Sequence, residues 1–431
     1  MQGRAVYAGI DVGTSGVRLW LGDASGQCVA QHGEAWPGSR MPSEPAAWWG
    51  AICRLLRRLS SDHRGRLAAL AIDGTSGTVL LSTPSAEAVS SALAYDVPAP
   101  AALLRRIDDH APANTAARGS GSGLGRGLAL LAGVAEQDTV RLATQADWLA
   151  ARFLGALEST DENNALKLGY DPVARRWPEW IRGCGVSSTC LLPAVPPGEP
   201  LGSVAPAVAA ELGIRSSCLV AAGTTDSIAG FLATGAGRMA DAVTSLGTTL
   251  AVKLVSSRPI FSPAHGIYSH RLGQDYLVGG ASNTGGGVLA VYFSAEELDM
   301  LSDQLDPTRS TGLDYYPLRQ PGERFPVNAP ALQPRLEPRP ADPAQFLQGM
   351  LEAMARIEAD AYRCLAQLGA PRPGRVLTVG GGARNEAWRL IRQRALGVPV
   401  VNSVGVEPAY GAARLAMQAD KKGPAITGGH Q

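Results

Sequence analysis

The residues of this chain with the clearest chemical potential are two aspartates and the turns around them. Asp11 ends the apolar run Val6 to Ile10 and opens Asp11-Val-Gly-Thr-Ser-Gly-Val-Arg18, and a partial echo, Leu246-Gly-Thr-Thr249, follows a similar run halfway along. Such turns present backbone N–H groups and small hydroxyls to phosphate oxygens, with no bulky side chain blocking the approach. Asp11 is placed to hold Mg2+ through water, because Mg2+ takes one or two carboxylates and completes its shell with phosphate and water. Arg18 either supports the anion or is simply solvated. Asp226 ends a second apolar run, Leu219-Val-Ala-Ala-Gly223, and such a carboxylate suits accepting a proton from a hydroxyl that attacks a phosphoryl group. Taken alone, each Gly-Thr run is also ordinary hairpin chemistry, and Asp226 is a ready N-cap for the helix expected at 227–233. Two phosphate turns in two halves suggest one nucleotide held between two lobes.

A third glycine-rich turn, Gly380-Gly-Gly-Ala-Arg-Asn385, lies between the strand expected at 375–379 and the helix expected at 386–396. Glycines there let a flat ring or phosphate approach the backbone, and a helix N-terminus favours negative charge. Asn385 either hydrogen-bonds a base or ribose or caps the helix. The turns Asp73-Gly-Thr-Ser-Gly77 and Ala281-Ser-Asn-Thr-Gly-Gly-Gly287 offer hydroxyls and amides suited to a polyol, or turn chemistry alone.

The elements that must position these residues alternate between strand and helix. Strands are expected at 6–10, 16–22, 67–72, 78–82 and 219–223, and a hairpin at 241–256. Helices are expected around 48–59, at 143–154 and at 344–368; in the last, Phe346, Met350, Met354, Ile357, Ala361, Leu365 and Leu368 fall on one face. The Pro-rich stretch 192–206 reads as loop. The run Gly119-Ser-Gly-Ser-Gly-Leu-Gly-Arg-Gly127 fits no dinucleotide register, follows no strand directly and reads as a flexible connector. From Lys421 onward the chain carries little apolar content and reads as a frayed tail.

The 431 residues are enough for two domains of about 200 residues each. The division expected is 1–225 and 226–431. A net charge of +1 without a Lys/Arg stripe argues against nucleic acid. No run reaches the roughly 18 apolar residues of a membrane span, and the first strand follows Met1 too closely for a signal peptide, so a cytoplasmic protein off the membrane is expected. The six cysteines lack C-x-x-C spacing and read as reduced and structural. No interface patch is legible, which leaves monomer or homodimer.

Five motifs in order then carry a resemblance over almost the whole chain: Asp11–Arg18, Gly223-Thr-Thr-Asp226, Ser245-Leu-Gly-Thr-Thr249, Gly380–Asn385 and Glu407-Pro-Ala-Tyr-Gly-Ala-Ala413. The sequence resembles the FGGY carbohydrate kinases. Within them it is most similar to the xylulokinase-like D-ribulose kinases, through Ile72–Thr78, Thr160–Asp171, Gly223–Ala229, Gly280–Gly286 and Gly322-Glu-Arg-Phe-Pro326. The resemblance implies an α/β fold of two actin-like (ribonuclease H-like) domains with ATP and Mg2+ in the cleft. It implies Asp226 as general base, Asp11 on metal or sugar, and Thr75 or Ser76 on the sugar. It also implies Gly13, Thr14, Ser15, Gly247 and Thr248 on the phosphates, with Gly381, Gly382 and Asn385 at adenosine. Xylulokinases proper carry Gln-Met-His-Gly where this chain has Gly74-Thr-Ser-Gly77, which favours D-ribulose over D-xylulose. Their Lys-aliphatic-aliphatic-Trp segment appears here as Arg126-Gly-Leu-Ala129. Competing readings are a kinase for another ketose or a polyol, an actin-like ATPase with no sugar substrate, and a catalytically silent sugar sensor. Retention of Asp11, Thr14 and Asp226 together argues against the sensor.

Overall fold

The computed structural model describes residues 4–403, 405 and 407–423. The chain forms two units: the first takes the chain to Ala233 and again from Glu407 onward, and the second spans Thr234–Val406. The first holds β1 (Val6–Val12), β2 (Gly16–Asp23), β3 (Cys28–Ala35), β4 (Leu67–Gly74), β5 (Val79–Ser82), β6 (Arg141–Thr144), β7 (Thr160–Asp161), β8 (Ala194–Val195), β9 (Pro200–Ser203) and β10 (Leu219–Thr225). Its main sheet has the order β3-β2-β1-β4-β10-β9. Strands β1, β4 and β10 are parallel neighbours, while β1, β2 and β3 form an antiparallel meander.

The second unit holds β11 (Asp241–Leu246), β12 (Leu250–Ser256), β13 (His270–Leu272), β14 (Asp275–Ser282), β15 (Arg375–Val379) and β16 (Val400–Asn402), in the order β13-β14-β12-β11-β15-β16. Its β11, β15 and β16 are parallel. Each unit therefore repeats one plan, an antiparallel meander whose first strand continues into parallel partners. The amphipathic helix Pro343–Gln367 buries Phe346, Met350, Met354, Ile357, Ala361 and Leu365 in the second core, and it begins and ends within one residue of the expectation.

Strand alternation gives the two faces of the first sheet different partners. Ala8, Ile10, Leu70, Ile72 and Val220 join a core with Trp48 and Trp148, whereas Tyr7, Ala69, Ala71 and Ala221 meet Ala412, Leu415, Ala416 and Ala419 of the helix Pro408–Lys422. Small residues on that second face bring backbone against backbone. A Cβ on Gly9 would lie 1.8 Å from the Ala409 carbonyl oxygen, and one on Gly411 would lie 1.8 Å from that of Ala229.

The last helix thus returns to the first sheet, and the division differs from the 1–225 and 226–431 read from sequence. The helix Asp226–Ala233 also stays with the first unit, continuing directly from β10 and packing on the returning helix. Lys421 and Lys422, read as the start of a frayed tail, belong to the last helix; residues 424–431 lie outside the described residues.

Three local expectations are corrected. The glycine run is not a connector beyond Ser122: a helix spans Gly123–Leu131, with the Ser122 hydroxyl accepting the Gly125 N–H at 2.9 Å. Packing selects its glycines, since a Cβ on Gly125 would come within 2.9 Å of the Ala99 Cβ and one on Gly127 within 2.6 Å of Leu142. The helix read over 143–154 begins at Gln145, because Arg141–Thr144 pair with β5 and Thr144 then closes a capping box with Asp147. The Pro-rich 192–206 stretch likewise contains β8 and β9.

Candidate active site

Three aspartates gather at the C-terminal ends of three neighbouring parallel strands. Asp11 in β1 is the register partner of Asp73 in β4, Thr224 of β10 pairs with Asp73, and Asp226 is the first helical residue after β10. In open α/β sheets this strand edge is the usual place for ligands. Asp11 is 2% exposed and Asp73 is completely buried, while Asp226 is half-buried. The Asp226 carboxylate accepts the Ser227 N–H at 2.6 Å, so the residue serves its own helix start as well as facing the site.

Burial pushes Asp73 well above the usual carboxylate range, and the negative charges of Asp11 and Asp226 push it further. Neither Asp73 oxygen meets a conventional donor. Burial also raises Asp11, but the hydrogen bond with Asp73 and the nearby Arg18 guanidinium, whose Nη1 donates to Asp11 at 3.1 Å, oppose it. Both carboxyls thus hold their protons more tightly than usual, Asp73 more strongly than Asp11. From the sequence, Asp73 carries no role apart from its turn, although Ile72-Asp73 repeats the strand-end pattern of Ile10-Asp11.

The first turn is held tightly and leaves small side chains open. Gly13 N–H donates to Gly16 at 3.0 Å and Trp36 Nε1 donates to the Gly13 carbonyl at 2.9 Å, leaving Thr14 and Ser15 exposed. Thr14 Oγ1 donates to the Tyr95 hydroxyl at 3.3 Å. A cavity of about 400 Å3, lined by Thr14, Arg40, Met41, Tyr95 and Asp96 among others, adjoins the turn. Its volume falls in the range of small-molecule sites.

Of the two residues expected at a sugar, Thr75 turns inward. Its N–H and hydroxyl donate to Gln145 Oε1 at 2.9 and 3.0 Å, and the hydroxyl sits 2.6 Å from that of Thr78. Gln145 Nε2 in turn donates to Met41 Sδ at 3.0 Å, which links the turn to the cavity wall. Ser76 is half-buried and its carbonyl accepts Lys167 Nζ at 3.2 Å. Arg126, where the resemblance offered no assignable contact, is fully buried and donates to the carbonyls of Gly77, Val97 and Gly121 at 2.9, 3.1 and 3.1 Å.

A buried polar layer anchors β10 from below. Asp147 accepts the hydroxyls of Thr144 and Thr160 at 2.6 Å each, Asp161 accepts the N–H groups of Asn163 and Asn164 at 2.9 and 3.0 Å, and Asn163 Nδ2 donates to Thr224 Oγ1 at 3.2 Å. Burial first, then the Asp147 charge, push Asp161 up to about 8.

In the second unit, three glycine segments meet. Gly286 and Gly287 N–H groups donate to the Gly247 and Thr248 carbonyls at 2.8 and 3.0 Å, and a Cβ on Gly380 would lie 2.6 Å from the Leu246 oxygen. Thr248 and Gly381 are exposed, and a Cβ on Gly381 would meet nothing within 4 Å. Gly382 is instead held tight, its Cβ direction 2.5 Å from the Trp388 ring. Asn385 caps the helix: Oδ1 accepts the Trp388 N–H at 2.8 Å and Nδ2 donates to Ser302 Oγ at 2.7 Å. The 281–287 turn packs into this cluster of glycine segments. Its Asn283 is engaged by Glu323 and Gly322, which accounts for the Gly322–Pro326 motif.

Two units of one α/β plan, with carboxylates at strand ends and glycine turns in both, define an actin-like fold carrying phosphotransferase equipment. Residues 242–419 match the family model of the C-terminal domain of the FGGY family of carbohydrate kinases. Over those residues the chain is similar to the carbohydrate kinases of that family. It is 26% identical to the xylulose kinase of Escherichia coli K12 over 444 residues, covering 95% of this chain and 89% of that one. It is 28% identical to the xylulose kinase of Streptomyces rubiginosus, covering 91% and 84%. The crystal structure of a xyloylose kinase from Brucella ovis superposes with a TM-score of 0.83 at 22% identity, covering 97% of this chain and 91% of that one. Among the described residues, no helix is long and apolar enough to cross a membrane.

Proposed function

We propose that this kinase transfers the γ-phosphoryl group of ATP to a hydroxyl of a ketopentose, with D-ribulose as the preferred acceptor and Asp226 as the base. The observation that carries the reading is the position of Asp226, at the end of β10 beside Asp73 and Asp11. An acceptor oxygen held there attacks the phosphorus, its proton passes to the Asp226 carboxylate, and the bond to the leaving ADP oxygen breaks. The transition state of such transfers is loose, so positioning and charge stabilisation supply most of the rate and the base acts late.

The residues present fit the nucleotide and a divalent cation. The exposed hydroxyls of Thr14, Ser15 and Thr248, with the backbone of Gly13 and Gly247, would hold the phosphates; Gly381 would admit the adenosine, with Gly382 and Asn385 shaping that wall rather than reaching the base. Asp11 stands next to one other carboxyl, the sparse donor set that Mg2+ accepts. Bound there, Mg2+ would neutralise charge developing on the phosphate oxygens.

D-Ribulose is favoured by the Gly74–Gly77 turn, whose inward Thr75 and small Ser76 put neither imidazole nor long amide toward the acceptor. D-Xylulose is the second reading, favoured by the names of the relatives. The deciding experiment measures ADP release with D-ribulose, D-xylulose, L-ribulose and pentitols. D-Ribulose should give the highest kcat/KM, and Asp226→Asn should lower that value by about 10²- to 10⁴-fold while nucleotide binding survives. A panel in which D-xylulose wins overturns the specificity. An Asp226→Asn enzyme at the wild-type rate overturns the base.

A further inference from the structure

Lys167 has no part in the reading above, yet it sits where that reading needs a cation. It lies in the single helical turn Leu166–Leu168, and its ammonium is fixed on the Ser76 carbonyl at 3.2 Å. Among the described residues this is its one hydrogen bond, and an ammonium has three donors. The turn it grips is shaped around it. Gly77 has φ +88°, and a Cβ there would stand 3.1 Å from Lys167 Cδ and 2.8 Å from Arg126 Nη2. Arg126 spends its three nitrogens on backbone carbonyls and holds the turn from the other side. Burial and the Arg126 charge lower the affinity of Lys167 for its proton, and the carboxylate that opposes them is Asp226.

We infer that Lys167 is a positioning and specificity residue of the acceptor site, bridging the Gly74–Gly77 turn to the Asp226 side and offering its remaining N–H donors to an oxygen of the sugar. The inference rests on the sugar-kinase reading and on Asp226 as its base. A fixed donor beside the base orients the attacking hydroxyl relative to the phosphorus. It also discriminates between epimers, because a sugar with the neighbouring oxygen on the other side leaves a half-buried ammonium without its partner. The titratable and charged groups around Asp226 include Lys167 and, from β4, Asp73; behind them stand Asp11 on β1, Arg18 on β2, Glu407 ahead of the last helix and Arg126 on the helix 123–131.

The test is steady-state kinetics of wild type, Lys167→Met and Lys167→Arg with D-ribulose and D-xylulose from pH 5.5 to 9, with nucleotide affinity and thermal midpoint measured alongside. Removing a cation beside a carboxylate makes the carboxylate hold its proton more tightly. Lys167→Met should therefore move the acid limb of kcat/KM upward by about one pH unit, raise the KM for the sugar at least about tenfold and narrow the preference between epimers, with nucleotide affinity unchanged. Lys167→Arg should restore the acid limb but only part of the sugar KM, since a planar fork replaces a point donor. If Lys167→Met does not fold, Lys167→Arg carries the test, and a wild-type KM and epimer preference in that variant overturn the inference. A folded Lys167→Met enzyme with unchanged sugar KM and acid limb sinks the Lys167 assignment alone. A wild-type protein that phosphorylates no sugar in the panel sinks the acceptor reading itself and this inference with it.

Discussion

Asp73 stands beside Asp11 across two hydrogen-bonded parallel strands, and burial raises both carboxyls, with the Asp11 charge pushing Asp73 further. Two ionised carboxylates at adjacent strand ends would repel each other and the incoming phosphates.

Because Asp73 holds its proton more tightly folded than unfolded, its stabilising contribution is complete at pH values below the unfolded carboxylate range and declines as pH rises towards the raised folded value. Asp73→Asn mimics the neutral form and removes that decline. Calorimetry at pH 5 and pH 8 should show the variant gaining on wild type at the higher pH, with turnover within about threefold at neutral pH. A variant that instead loses ground to wild type as pH rises would mean that the folded state does not raise Asp73.

Asp11→Asn removes the carboxylate proposed to hold the metal. Titration of activity against Mg2+ should show the requirement rising at least about tenfold, with the KM for sugar changing less. An unchanged Mg2+ dependence would take Asp11 out of the metal site and leave it as a partner of Arg18.

The second unit has its own charged core. Arg392 is 1% exposed and donates to Glu358 at 2.6 and 2.8 Å and to Thr378 at 2.8 Å, beneath the parallel strands that carry the phosphate turns. Glu358→Ala leaves that guanidinium buried without its counter-charge and should cost about 3–5 kcal/mol in chemical denaturation. The double replacement Glu358→Leu with Arg392→Met should recover most of the loss, because apolar side chains of similar volume replace the pair at little cost.

Gly9→Ala tests the returning helix. The new methyl would meet the Ala409 oxygen at 1.8 Å and the Ala413 nitrogen at 2.3 Å, both backbone atoms with no rotamer to yield. The first unit should lose at least about 2 kcal/mol, read as a lower thermal midpoint. An unchanged midpoint would mean that the helix moves off the sheet freely.

Much of this was legible in the sequence because burial writes it there. The runs ahead of Asp11, Asp73 and Asp226 are fully buried parallel strands, hence near-continuously apolar and easily bounded. The helix Glu386–Leu396 matches its expected limits because Asn385 caps it and Gly397 ends it. The helix Gly123–Leu131 was illegible because its glycines answer to Ala99 and Leu142, neighbours that local spacing does not reveal. Asp73 escaped notice because its turn, rich in glycine and hydroxyls, drew attention to Thr75, whose side chain serves Gln145 instead. The domain division went astray for a related reason: the Ala-rich face of the last helix names no partner, and only the glycines and alanines of β1, β4 and β10 complete it.

That closing helix has a consequence for how the protein is made. A ribosome delivers β1 among its first residues, but the backbone that covers one side of β1 emerges only with Glu407 and beyond. The first-synthesised unit must therefore wait, one face bare, through the translation of the entire second one, and at about 5–20 residues per second that interval lasts about 10 seconds or more. Nascent chains stalled before Glu407 should engage chaperones through that alanine-lined face, and release of the final stretch should end the engagement.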